Sequence, residues 1–234
     1  MGRFHWAWSL AGATLASPLQ AQDARAGVAM LPFENAGSYG QDKEVFEALR
    51  VGIPAMLSTA LSAHPRLRIA EASRVGQELE TRHLRSAERL DAATAGQIGK
   101  AVGARYSVTG SFADFYGKFR INARVVDAET GQIVKVVSND EAKLQDRAQL
   151  GVIIRTMSEK IVAAAGLPPY PADAAGRRGS DMPTEALTEY SRGLLYESRG
   201  DTSKAADAYQ HALSAYPEYP EAREALRRVG PNKF

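Results

Sequence analysis

The chain has 234 residues, 44% of them hydrophobic and 24% charged, which is enough apolar matter for a packed core in one mid-sized domain plus a smaller unit. The formal net charge is +2 with no basic block, so nucleic-acid binding has no electrostatic footprint. There is no cysteine, which excludes disulfides, thiolate nucleophiles, thiolate metal sites and lipid attachment through cysteine, and suits an oxidising compartment.

The N-terminus carries one firm positive charge, Arg3, followed by an uncharged stretch from Trp6 to Ala16 and then Ser17-Pro18-Leu19-Gln20-Ala21. This three-part layout predicts a secretory signal peptide over residues 1–21, cut after Ala21 or, alternatively, after Ala16. The apolar run is too short to span a bilayer, which takes about 20 residues. No later segment reads as a membrane helix.

Gly27 to Phe33 is near-continuously apolar, which predicts a strand buried on both faces. Phe46, Leu49, Ile53, Leu57 and Leu61 recur at helical spacing, and Pro54 among them predicts a kink or restart. Leu67 to Ala70 reads as a second strand, and Ser73 to Leu90 as a polar helical region with Val75 and Leu79 as its apolar contacts. Asp91 is placed to cap a helix that Gly103 ends, and Gly96 and Gly99 within it favour close packing on a sheet. Tyr106, Val108 and Phe112 share one face of the next strand. After a turn at Gly117-Lys118, Phe119, Ile121, Ala123 and Val125 alternate with polar residues at period two. A barrel strand would show the same alternation, but the neighbouring strands do not continue it, so a half-buried strand of a soluble sheet is favoured. With Ile133 to Val137, joined through Glu129-Thr130-Gly131, these strands predict an antiparallel meander. Leu150, Ile154, Met157 and Ile161 mark a long amphipathic helix closed by Gly166. Residues 167–182 are rich in proline and glycine and read as a linker, and a helical unit follows over 183–230.

Several stretches resemble the CsgG/HfaB family, the curli-type secretion and assembly proteins of the bacterial envelope. They are Val28 to Asn35, Leu67 to Glu71, Ala93 to Ser111 and Val125 to Gly131. The resemblance implies that residues 22–166 form an α/β domain similar to the N-terminal domain of TolB. The matching residues have structural explanations, since Gly103, Gly110 and Thr130-Gly131 suit turns or close backbone approach. The channel-forming members are lipoproteins with inserted membrane hairpins. Here there is no cysteine to acylate, and the tight turns leave no room for membrane strands of about 9–11 residues.

The C-terminal unit resembles a tetratricopeptide repeat. Gly193, Tyr196, Ala205, Tyr209, Ala212 and Pro217 fall at its signature spacings, with Gly200-Asp201 at the inter-helix turn and Glu189 where the leading aromatic would stand. The small residues let two helices approach, and Tyr196 and Tyr209 are expected to fill the space between them. Because three or more repeats usually share a core, a single one is expected to dock on the α/β domain, self-associate or complete a partner's array. By resemblance, Leu187, Tyr190, Leu194 and Glu197 would line a peptide groove; equally, Leu187, Tyr190 and Leu194 would simply cover core. The fold class expected overall is an α/β (α+β) sandwich with a mixed sheet and antiparallel meander, followed by a small all-α helical hairpin.

The search for chemistry finds little. Among the four histidines, His5 belongs to the signal peptide, and His64, His83 and His211 sit in separate segments without metal-ligand spacing. Gly96-Gln-Ile-Gly-Lys100 lacks the full phosphate-loop pattern, and Asp127 with Glu129 lacks the remaining ligands of a calcium loop. No catalytic, cofactor or metal residue is assigned, and the protein is expected not to be an enzyme. The leading expectation is an exported periplasmic adaptor or assembly factor acting through envelope proteins, including secretion or assembly components, with peripheral outer-membrane association and homo-oligomer formation left open. A CsgG-type secretion-channel subunit and an envelope hydrolase or small-molecule-binding enzyme are the alternatives, and for the last of these an α/β fold alone specifies no chemistry.

Overall fold

The computed structural model describes residues 24–38, 42–84, 90–139, 145–172 and 182–230; the expected signal peptide lies outside them. The elements in chain order are β1 (Ala26–Asn35), α1 (Lys43–Ser62), β2 (Leu67–Ile69), α2 (Ala72–Thr81), α3 (Ala92–Ala101), β3 (Tyr106–Phe115), β4 (Lys118–Asp127), β5 (Ile133–Ser138), β6 (Gln145–Asp146), a short 3-10 turn, α4 (Leu150–Ala164), α5 (Thr184–Ser198), α6 (Thr202–Ala215) and α7 (Pro220–Val229). The described strands form one mixed sheet in the order β2-β1-β3-β4-β5, with β6 pairing the start of β4. β1 lies between two parallel neighbours, and its apolar run is buried on both faces as expected. Pro32 has no N–H to give to the ladder, and the β1–β3 register slips between Met30 and Phe33. β3, β4 and β5 form the expected antiparallel meander.

Alternation on β4 decides the layers. Phe119, Ile121, Ala123 and Val125 face α1 and α4, while Val126 joins Ala29 and Leu31 under α2 and α3. Asp91 caps α3, its side chain accepting from the Thr94 N–H at 2.7 Å. Gly96 and Gly99 bring α3 down onto the sheet: a methyl at Gly99 would overlap Ser107 Oγ, and one at Gly96 would lie 2.8 Å from the Gly131 backbone.

Several local expectations are corrected. α1 runs as one helix through Pro54 rather than restarting there. By length and composition α1 also qualifies as a membrane span, which the sequence reading overlooked; in the fold its inner face, from Phe46 to Leu61, is buried. The polar helix ends at Thr81, followed by His83 with a left-handed φ of 56°. The β3–β4 turn sits one residue earlier than expected, on Tyr116 and Gly117, whose φ values are 53° and 86°. The described part of the expected linker packs on the body. His64 Nε2 meets the Pro168 carbonyl at 3.0 Å, and the Tyr170 hydroxyl donates to the Ala60 carbonyl at 3.1 Å.

α5 and α6 form a helical hairpin turned at Gly200, which has a φ of 76°, and Asp201 caps α6 by accepting from the Lys204 N–H. Gly193 gives its side-chain space to the ring of Tyr209, and Ala205 and Ala212 are fully buried. The aromatic partner of Tyr209 between the helices is Tyr190, not Tyr196. The Tyr190 ring centroid lies 5.8 Å from that of Tyr209 and 4.9 Å from that of Tyr219. Tyr196 sits under the Lys204 ammonium at 5.6 Å. Pro217 holds the turn into α7, its carbonyl accepting from Arg223 Nη2 at 2.7 Å.

The hairpin docks on α1. Gly52 has no side chain, and Ser191 of α5 occupies that space so closely that a methyl at Gly52 would overlap both Ser191 Oγ and Cβ. The core is therefore continuous from the sheet through α1 to Tyr219. A second tie is Arg147, whose guanidinium pairs with the buried Asp114 at 3.0 Å and with Asp42 at 2.9 Å, while its carbonyl accepts from the Thr184 hydroxyl at 3.2 Å.

Gly52→Ala is expected to lower stability by about 1–3 kcal/mol through overpacking, and adding Ser191→Gly is expected to recover part of it; thermal denaturation of the single and double variants checks this. Asp114→Ala removes the buried partner of Arg147, which keeps Asp42, and the acceptor of the Gly117 N–H; it is expected to cost about 1–3 kcal/mol, measured by urea titration.

Candidate functional site

Where α5 crosses α1, the hairpin and the α/β body share one open apolar groove. Its cavity is about 370 Å³ and is lined by Met30 and Pro32 of β1, Arg50, Val51, Pro54, Ala55 and Ser58 of α1, Ala70, then Ala72, Val75, Gly76 and Leu79 along α2, and Leu194 and Ser198 of α5. The composition follows from the elements. α1 turns its inner face to the core and its second face, small residues and Pro54, to the groove. Proline leaves that wall without the side-chain bulk or N–H of an ordinary helical residue, and Gly76 and Ala72 keep the α2 wall low. Among the described lining residues the one charged side chain is Arg50, held by Glu47 at 3.1 Å one turn earlier. The cleft thus offers apolar surface with a cation at one side.

The four residues expected to line a peptide groove are not brought together. Leu187 and Tyr190 are buried in the core between α1, α5 and α7. Leu194 alone reaches the groove. Glu197 faces α6 and α7, accepting from the Tyr209 hydroxyl at 2.7 Å and from Arg228 Nε and Nη2 at 2.7 and 2.9 Å. Arg228, and less strongly Tyr209, hold the Glu197 carboxyl below its ordinary range. Burial, with Glu221 adding to it, pushes the Tyr190 hydroxyl up to about 12, and burial raises Tyr219 as well. The tyrosine cluster is therefore neutral and structural at physiological pH.

Among the described residues the histidines do not converge. His64 is buried, its Nδ1 accepting from the Arg66 N–H while Nε2 donates to Pro168, and His211 lies 3.9 Å from Glu189. Asp127 accepts from the Glu129 and Thr130 amides, as a hairpin turn requires. Sequence reasoning missed the groove because its walls come from four distant segments. The readable signal was Gly52: a glycine inside a strong helical pattern costs about 1 kcal/mol and so points to a neighbour at close range.

No protein-family model matches the chain, and no curated protein matches it. Solved structures similar in fold include the LpoB C-terminal domain from Salmonella enterica, at 17% identity over 54% of this chain and 87% of that one with a TM-score of 0.38. TolB from Acinetobacter baumannii is 14% identical over 70% and 30% of the two chains, with a TM-score of 0.34. The PelC dodecamer from Paraburkholderia phytofirmans is 12% identical over 62% and 90%, with a TM-score of 0.36. The CsgG/HfaB resemblance is not upheld, since these structures are LpoB, TolB and PelC and no family model supports it. The segments that carried it are β1, β2, α3 with the first part of β3, and the end of β4 with its hairpin turn, whose residues serve packing and turn geometry.

As pH falls through the lowered carboxyl range, protonation of Glu197 removes its pairing with Arg228. Its contribution is full above the unfolded value of about 4.5 and is lost as the folded group titrates below it. The stability difference between wild type and Glu197→Gln is expected to shrink as pH drops through that window, read from denaturant midpoints across the acid range.

Proposed function

We propose that the protein is an exported, non-catalytic binding protein of the cell envelope that takes an apolar segment of another protein into the groove between α1, α2 and α5. The observation that carries this reading is the groove itself: an open, nearly charge-free cleft of about 370 Å³ whose walls belong jointly to the α/β body and the helical hairpin. Unfilled apolar surface of this kind marks interaction sites on soluble proteins. Leu194 supplies the hairpin's wall and Ala55 and Val51 the body's, so an occupant would touch both parts and hold them together. The signal-peptide layout of residues 1–21 supports export, and the absence of cysteine suits the compartment. The tetratricopeptide-like spacing is read here as the packing code of a docked helical hairpin, and the adaptor role rests on the groove that this docking creates.

A photo-crosslinking residue placed at Val51 in cells is expected to form an adduct with a defined envelope protein. Ala55→Glu, which sets a carboxylate on the apolar wall, is expected to reduce the yield at least several-fold. Equal labelling from Val51 and from an exposed position remote from the groove, such as Arg227, would sink the proposal.

A further inference from the structure

At the opposite edge of the sheet β5 has, among the described residues, a single strand neighbour, β4. Ile133, Val134 and Val136 are exposed there at 45%, 46% and 56%. Ladder geometry fixes which backbone groups face outward. The Asn139 N–H bonds to the Ile121 carbonyl, and hydrogen-bonded pairs alternate with non-bonded ones in an antiparallel ladder. The pair Arg124–Val136 is therefore non-bonded, so the Val136 N–H and C=O point away from β4. Among the described residues none hydrogen-bonds Val136 from outside the sheet. The next outward carbonyl, Ser138, is capped by Lys160 Nζ at 2.6 Å. The edge is thus closed at one end and open around Val136.

Side chains on this edge alternate in chemistry. Val136 shares a face with Arg124, whereas Lys135, opposite Val125, points to the other face. Lys135 is exposed and is the one charged side chain of β5. No carboxylate occurs in residues 133–138, so a second copy of β5 would bring lysine without a counter-charge. We infer that β5 is a strand-addition site for an extended segment of another protein that alternates apolar and acidic residues. Its backbone pairs with Val136, its apolar side chains lie beside Ile133 and Val136, and its carboxylates lie beside Lys135. Main-chain bonds supply affinity in such additions, and alternate side chains supply specificity. The bulge opposite Val125 and Val126 and the lone lysine discourage self-pairing of the edge. This site lies at the opposite sheet edge from the groove and does not rest on it.

A short labelled peptide alternating valine and glutamate, titrated into residues 22–234 and followed by fluorescence anisotropy, is expected to bind. Val136→Pro deletes the outward N–H while leaving the bonded pairs to β4 intact, as proline is tolerated on edge strands; it is expected to weaken binding about tenfold or more, with circular dichroism confirming the fold. Lys135→Glu keeps the backbone edge and is expected to reverse the preference toward a valine–lysine peptide. The inference is overturned if wild type does not bind, if Lys135→Glu binds both peptides as wild type does, or if light scattering shows a dimer that Val136→Pro dissolves, which would make a second copy the occupant.

Discussion

The contact between Gly52 and Ser191 sets the arrangement of this protein. A helix normally keeps its neighbour about 8–10 Å away, axis to axis, because both carry side chains. At Gly52 one side chain is missing and Ser191 fills its place, so α5 settles deep against α1. That depth puts Leu187 and Tyr190 into the core of the body and leaves Leu194, one turn further along α5, at the rim of the groove. The hairpin is accordingly part of the same hydrophobic core as the sheet, which answers the problem of a lone helical pair that cannot bury its apolar face unaided.

Much of the fold was legible in the sequence where one local rule was strong enough to act alone. Period-two alternation placed β4 and its buried face, the doubly apolar run marked β1 as central, and Asp91 and Gly103 bounded α3. The failures came where local rules compete with tertiary ones. Pro54 disfavours a helix interior, yet burial of Phe46, Leu49, Ile53, Leu57 and Leu61 on one continuous face carries α1 through it. Tyr196 fits a repeat spacing, but the cavity between the helices is filled by Tyr190, Tyr209 and Tyr219, the last supplied by a turn beyond the hairpin.

The candidate site was far less legible than the fold. Of the four residues chosen as groove-lining, Leu194 alone lines the open cleft, because a one-dimensional spacing states which face of a helix a residue occupies and not what covers that face. Glu197 shows the difference: its position on α5 was right, but Arg228 from α7 and Tyr209 from α6 consume its acceptors. Glycine-mediated approach and edge-strand exposure are properties of pairs of segments, and they became visible only once the segments were placed.

The burial of the tyrosine cluster also shapes how the molecule interacts with light. Both tryptophans, Trp6 and Trp8, stand in the segment read as a signal peptide, and residues 22–234 contain none. The processed chain would therefore emit through tyrosine alone. The Tyr190 ring lies 5.8 Å from that of Tyr209 and 4.9 Å from that of Tyr219, centroid to centroid, and one of their hydroxyls is bonded to a carboxylate. Near-ultraviolet dichroism and quenched tyrosine emission thus become built-in reporters of whether the helical hairpin is seated, with no label added.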